Sequence, residues 1–451
     1  MAHPVDAPTR KRVLKVIFIS LLMDLLSFTF ILPLFPKLLE FYRNLEAPQD
    51  PSSAVSPPTT LLSHLLGYLN AYKASFARPI DSRYDIVLLG GAMGSLFSLL
   101  QAIASPVIGH LSDKHGRRPA LLASMAGNVA SVLLWIAAVD FRTFLASRIV
   151  GGLSEGNVQL ANAIATDISD ESSRGSTMAF IGACFSIAFT FGPALGAWLS
   201  STSFVASNPF ATAASFSLFL IVAETLYLYA ALPETLPAIT GKGASPSKPG
   251  VPNPSAEPAA TRRTNSHFAL NAVHLVFLLF FSGMEFSLPF MTYDLFAYTS
   301  AKNGRLLGYV GLVASLLQGG VTRHLPPLVS VRAGVASCLA AFLMLGRIQS
   351  VGMLYGAATC LACTSATVVP GLSALSSFEA SEGERGGKLG ILRSCGQLGR
   401  GLGPILFTSV YWWAGREAAY NLGAAGMAVV FLAVFGCLKT PTLIITEKKV
   451  Q

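Results

Sequence analysis

The chain has 451 residues, of which 52% are hydrophobic and 12% charged, with a formal net charge of +9. An ordinary soluble protein carries about 25% charged residues to cover its surface; this deficit excludes that class and implies a polytopic membrane protein whose surface faces hydrocarbon. The positive charge lies in short clusters between apolar runs, which excludes a nucleic-acid-binding face and fits anchoring by Lys and Arg at a membrane surface.

A membrane-crossing helix takes ~20 mostly apolar residues, and twelve runs of about that length occur. The first, 13–36, is too long for the apolar core of a signal peptide and no small-residue cleavage site follows it, so it is expected to stay as a spanning helix. It places Asp24 ~16 Å deep. Residues 40–84 mix both charge signs with Pro and Ser and are expected to form a small cap. The runs 85–109 and 119–139 flank the segment GHLSDKHGRRP at Gly109–Pro119. Gly109 and Gly116 permit a tight turn there, Pro119 suits the first turn of the next helix, and Arg117 and Arg118 open that helix. Asp113 can accept from backbone N–H groups at a neighbouring helix start or pair with arginines from another helix. Anchoring by positive charge alone is the simpler reading of this segment, but it leaves the Gly–Asp–Gly spacing without a reason.

The fourth run, 142–165, carries Arg148 and Glu155, and the fifth, 176–199, follows Arg174-Gly175 and contains Gly192, Pro193 and Gly196. The sixth, 211–232, carries Glu224. Residues 238–267 are rich in Pro, Ser, Ala and Gly and hold no apolar run, which implies a flexible linker. Beyond it come 270–292 with Glu285, then 304–321, 331–346 and 350–373. The last two are 387–412, with Arg393, Gln397, Arg400, Gly403 and Pro404, and 418–438. The expected organisation is a first six-helix bundle at 1–237, the linker at 238–267, a second bundle at 268–440 and a tail at 441–451. Arg385-Gly386 and Gly403-Pro404 each lie 211 residues after Arg174-Gly175 and Gly192-Pro193, which agrees with a duplicated six-helix unit.

Arginines and lysines at 10–15, 114–118, 242–263, 323–332, 385–388 and 439–449 all fall on one side of a twelve-helix count. That side is expected to be the cytosol, with both termini on it. The six cysteines lie in or beside apolar runs, and the Cys360–Cys363 pair reads as helix packing. No Walker segment, no His or Cys cluster with ligand spacing and no N-x-[ST] sequon occurs, so no metal, nucleotide or other cofactor is expected.

GHLSDKHGRRP resembles the loop G-x-L-x-D-x-x-G-R-[RK]-P of the major facilitator superfamily, matching at its Gly, Leu, Asp, Gly, Arg, Arg and Pro positions. RIVGG at 148–152 is similar to that family's R-x-x-x-G segment. FGPALGAW at 191–198 is similar to its antiporter-associated G-P-x-x-G element, with Ala197 where a second Gly is usual. LPETLP at 232–237 resembles its helix-6 ending. The second-half counterpart, GGVTRHLPP at 319–327, lacks the Asp, so a latch would depend mainly on Gly109, Asp113, Gly116, Arg117 and Arg118. The segments at 21–36, 147–168, 281–290 and 389–404 resemble the tetracycline-transporter-like, organic-anion-carrying branch. The resemblance implies an all-α membrane fold with twelve helices in two pseudo-symmetric six-helix bundles around a central cavity.

Ionisable groups deep in a membrane face a cavity or a partner. Asp24, Arg148, Glu155, Glu285, Arg393, Gln397 and Arg400 are therefore candidates for a substrate or proton cavity, with Gln101, Asn157, Asn162 and Tyr293 as further polar residues. Arg393 and Arg400 lie two turns apart on one helix face and present forked cations to a carboxylate, sulfonate or phosphate. Buried ion pairs, for instance Asp24 with Arg148 or Glu285 with Arg400, are the competing reading. Glu224 reads as a packing residue, because helix 6 is peripheral in the resembled family. Gly192, Pro193, Gly196, Gly403 and Pro404 permit close helix approach and bending.

The expected function is secondary active transport of small organic anions or drug-like amphiphiles by a monomer, coupled to protons, with antiport favoured. An uncoupled facilitator, or a non-transporting receptor or scaffold of the same fold, is the alternative. No paired catalytic residues point to an enzyme.

Overall fold

The computed structural model describes residues 7–29, 34–46, 60–76, 84–200, 210–236, 264–381 and 383–441. Most of the predicted linker and all of the tail beyond residue 441 lie outside the described residues. Among those described there is no strand.

The first half contains α1 (Ala7–Thr29), α2 (Phe35–Glu46), α3 (Leu61–Ala74), α4 (Asp85–His115), α5 (Arg117–Ile136), α6 (Phe141–Ser154), α7 (Asn157–Ile168), α8 (Glu171–Ser200) and α9 (Ala211–Ala231). The second contains α10 (His267–Phe296), α11 (Ser300–Gly320), a 3₁₀ turn at Thr322–His324, α12 (Pro327–Gly346), α13 (Val351–Phe378), α14 (Arg385–Ala414) and α15 (Arg416–Gly436). Eight of these, namely α4, α5, α8, α9, α10, α12, α13 and α15, are long and apolar enough to cross a membrane by length and composition. The other four predicted runs correspond to α1, the α6–α7 pair, α11 and α14. The first, third and fourth of these carry more charged or polar residues, and α6 and α7 are each too short alone.

Burial divides the apolar residues into two large cores. One gathers Ile17, Met125, Trp135, Phe144 and Leu160 with their neighbours, almost all before residue 233. The other gathers Phe277, Met284, Phe342, Tyr420 and Met427, almost all after residue 269. The halves meet where α4 runs along α14, and where α8 packs on α11 and α13. Close approach explains the glycines of α14: a Cβ at Gly386, Gly390 or Gly401 would run into Gly109, Ser105 or Leu99 of α4.

Three local readings need correction. The fourth run is not one helix: it breaks between α6 and α7 at Glu155-Gly156. Gly is a poor helix residue, and here it is also pressed against Ser124 and Ile108, with no room for a side chain. The segment from Gly109 to His115 is not loop but the last two turns of α4. Only Gly116, at φ 108°, makes the turn, and Gly109 serves close packing instead. The predicted linker is fixed at its end, where the Thr264 and Asn265 amides donate to Glu379 at 2.8 Å each, and the Lys439 amide donates to Asn265 Oδ1 at 2.8 Å.

The described parts of 40–84 form the end of α2 and α3, which pack on α4 and α6. Asp140 starts α6 by accepting from the Thr143 amide, and these Thr143 bonds hold its carboxyl below the usual range.

Candidate functional site

The first cluster closes one face of the molecule. Asp113, near the end of α4, accepts from the Gly386 and Gly387 amides at 2.9 and 2.6 Å. These amides are unpaired donors at the start of α14, so the carboxylate caps a helix of the other half. Arg117 is 0% exposed and donates to Asp113 Oδ1 at 2.6 Å, to Ser112 at 2.8 Å and to Asp167 Oδ2 at 2.8 Å. Asp167, at the end of α7, also receives Arg385 of α14 at 3.0 Å. Two carboxylates and two guanidiniums thus alternate across the halves.

Arg10 pairs with Asp170 beside this cluster, and Lys439 is tied to Asn265 and through it to Glu379. Both ends of the described chain therefore lie on the face of this latch. Arg118 does not join it: its guanidinium donates to the Tyr229 carbonyl and sits 5.2 Å over the Tyr229 ring. The amides of Arg117 and Arg118 donate to Glu234, which holds α5 to the segment after α9.

The second cluster is interior. On α14, Arg393, Gln397 and Arg400 are part-buried along one face. Arg393 donates to Gln101 of α4 at 3.5 Å and has Glu155 and Asp24 as acidic neighbours, and its Nε is buried without a partner. Glu155 sits at the α6–α7 break and accepts from Asn128 at 3.3 Å. Asp24 lies near Asn157, the first residue of α7, whose Nδ2 donates to Met125 Sδ at 3.2 Å. The break thus turns the start of α7 and its Asn157 toward Asp24, an arrangement that broken membrane helices use at binding sites. No carboxylate pairs with Arg400 among the described residues.

Neither competing ion pair forms. Arg148 stacks 5.7 Å from the rings of Phe97 and Phe144 instead of pairing with Asp24. Glu285 is exposed on α10 and forms no ion pair among the described residues, and Tyr293 is exposed too. Gly192 packs against Thr29 of α1, and Gly403 against Leu279 and Ser282 of α10. Gly196 is buried, Pro404 lies inside α14, and the Pro193 side chain lies outside the described residues.

Sequence reasoning passed over Asp167, Glu234, His274 and the role of Glu224. Asp167 had a legible signal, an acid ending a helix at the basic face. His274 donates from Nδ1 to the Leu392 carbonyl at 2.9 Å and lies near Arg393 and Arg400. Glu224 is 0% exposed and receives the Ser20 hydroxyl at 2.6 Å.

The opposite face is closed by aromatic contacts between halves. Tyr84 donates to Asp294 at 2.6 Å, Tyr72 of α3 shares a hydrogen bond with Ser409 at 2.7 Å, and Phe76, Tyr84 and Phe290 surround Trp412.

Residues 17–404 match the family described as Major Facilitator Superfamily. The mouse protein "Major facilitator superfamily domain-containing protein 10" is 35% identical over 95% of this chain and 93% of its own length. The class G tetracycline resistance protein of Vibrio anguillarum is 28% identical over 78% of this chain and 87% of its own. The crystal structure of the human organic anion transporter MFSD10 (TETRAN) superposes with a TM-score of 0.81 at 31% identity, covering 94% of this chain and 99% of that one.

Proposed function

The chain belongs to the major facilitator superfamily and is a membrane transporter rather than an enzyme, and on that premise we propose that it moves small organic anions by alternating access, coupled to protons. The observation that carries the reading is the cationic face of α14. Arg393 there has Glu155 and Asp24 as acidic neighbours, whereas Arg400 has no carboxylate partner among the described residues, which leaves a forked donor for a ligand carboxylate, sulfonate or phosphate. The anion named for the human relative is of the same chemical class.

Proton coupling follows from competition. Asp24 and Glu155 are the acidic neighbours of the Arg393 guanidinium and compete with any incoming anion for it. An anion that takes Arg393 leaves those carboxylates buried without their counter-charge, a costly arrangement that a bound proton relieves. Anion and proton then travel together. This places symport above the antiport suggested by FGPALGAW in helix 5.

We place the latch on the cytosolic side, because Arg10, Lys11, Arg12, Lys114, Arg323 and Lys388 lie at helix ends on that face. In this reading the first bundle spans 1–237 and the second 268–440, joined by a cytosolic linker, and the monomer is the working unit.

The test is uptake of a labelled aryl carboxylate into proteoliposomes under imposed pH gradients. Symport predicts stimulation by acid on the substrate side, antiport by acid on the far side. Indifference to either gradient removes the coupling, and uptake unchanged in Arg400→Ala removes the anion site.

A further inference from the structure

We infer that protons reach Asp24 and Glu155 through a water chamber inside the first half, separate from the anion path along α14 and leading toward the face opposite the latch. The inference rests on the proton-coupled reading above.

A chamber of about 50 Å³ lies among α1, α4, α5, α6 and α9, and among the described residues none of the second half lines it. A water needs ~10–15 Å³ by this measure, so there is room for about three to five. Asp24, Glu155 and Asn128 form its inner end, and Ser131, Arg148 and Ser217 its outer part. Counting rise along the helices, Ser217 and Arg148 lie ~10 Å from the starts of α9 and α6 on the opposite face, and Glu155 ~20 Å. The chamber therefore runs from the carboxylates outward, and Arg393 approaches them from another side, beside Gln101 of α4.

One wall is a polar seam between antiparallel helices. Ser20, Asp24 and Ser27 share one face of α1 and meet Glu224, Ile221 and Ser217 on one face of α9. Ser20 bonds Glu224 at one end of the seam and Ser27 bonds Ser217 at the other. An all-apolar seam would pack these two helices equally well, so the hydroxyls and carboxyls require another reason. Two buried polar atoms here, Arg148 Nε and Glu224 Oε2, have no protein partner. Such atoms are ordinarily satisfied by ordered water.

The charged groups around the chamber and its inner end are Arg148 on α6 in the outer part, and Glu224 on α9 and Arg393 on α14 at the inner end, with His274 on α10 and Arg400 behind Arg393. Three carboxyls, Asp24, Glu155 and Glu224, thus face two guanidiniums, Arg148 and Arg393. Burial of net charge is costly, so this set is built to exchange a proton. The stacked pair Tyr42–Phe144 lies next to Arg148 in the outer part.

The experiment compares Ser217→Val with its isostere Ser217→Thr, and Ser131→Val with Ser131→Thr, in proteoliposomes. Two rates are read: uptake of a labelled aryl carboxylate driven by a pH gradient, and its counterflow at equal pH. The chamber predicts at least a fivefold loss of gradient-driven uptake in the Val variants, counterflow within twofold of the unsubstituted protein, and substantial retention of drive in the Thr variants. Equal behaviour of Val and Thr, or loss of counterflow in step with driven uptake, overturns it. An unsubstituted protein that ignores the gradient overturns the coupling reading itself and the chamber with it. A driven protein whose Val variants stay fully driven overturns the chamber alone.

Discussion

Asp113 and Gly387 lie 274 residues apart in sequence, yet the Gly387 amide donates to Asp113 Oδ2 at 2.6 Å across the boundary between the two halves. The bond belongs to the closed arrangement of this face only. When the halves separate there, Asp113 keeps Arg117, four residues on, but must give up both amides of α14. Its energy therefore enters the equilibrium between conformations rather than the stability of either half.

Asp113→Asn removes one anionic acceptor from that contact. A hydrogen bond to a charged group contributes about 1.5–3 kcal/mol, so the closed state should lose roughly 10- to 100-fold in population relative to the open one. The expected outcome is a fall of about tenfold in maximal uptake with KM changed less than threefold. A defect confined to KM would contradict a gating role.

Arg393 and Arg400 should fail differently. Arg400→Ala removes a cation with no carboxylate partner, so folding should survive while KM for an organic anion rises at least tenfold, about 1.4 kcal/mol. Arg393→Ala removes the cation that neighbours Glu155 and Asp24, a loss bounded above by the about 3–5 kcal/mol of a broken buried pair. Its thermal midpoint should fall, and Glu155→Gln in the same chain should restore most of that loss. Thermal unfolding in detergent together with uptake kinetics separates the two.

The parts of this architecture that were legible from sequence are those with a local cause. The apolar runs had to be helices because a bilayer leaves no other way to satisfy the backbone, and Asp113 stood out against its glycines. What the sequence hid was long-range. Arg118 belongs to the same motif as Arg117 but turns to Tyr229, because it falls on the side of α5 that packs on α9. The break at Glu155-Gly156 was masked by apolar residues on both sides, and its signal was the Glu-Gly-Asn triplet. Glu224 was dismissed for sitting on a peripheral helix, although the face it shares with Ser217 points inward to Ser20 and Ser27. Arg148 and Asp24 are both deep, and depth alone does not show that an aromatic pair has claimed the arginine.

The 211-residue repeat yields an internal control. Arg385 at the start of α14 meets Asp167, whereas Arg174, its counterpart near the start of α8, bonds the Ser377 carbonyl and lies 4.8 Å over Phe378, the residue related to Asp167. A cation–π contact is worth about 0.5–2 kcal/mol, and a buried pair broken on one side costs more. Arg385→Ala should therefore slow turnover more than Arg174→Ala, and Phe378→Asp should slow opening by adding a second bridge. Equal effects of the two alanine variants on maximal uptake would show that the halves are latched symmetrically.

The opposite face should respond in the opposite sense. Trp412 of α14 is the hub that Phe76, Tyr84 and Phe290 contact, so it joins the cap helix α3 to the second half. Tyr72–Ser409 and Tyr84–Asp294 add two hydrogen bonds to the same seam. Trp412→Ala deletes the two ring contacts that cross the halves, to Phe76 and Tyr84, worth about 0.5–1.5 kcal/mol each, enough to favour opening on this face by roughly fivefold or more. In a background lacking the native cysteines, a cysteine replacing Phe286 reports the change, since Phe286 lies against Gly91 of α4 below the seam. Trp412→Ala should raise its labelling by a membrane-impermeant maleimide several-fold, and Asp113→Asn should lower it. Labelling that ignores both substitutions would mean that the two faces do not move as alternating gates.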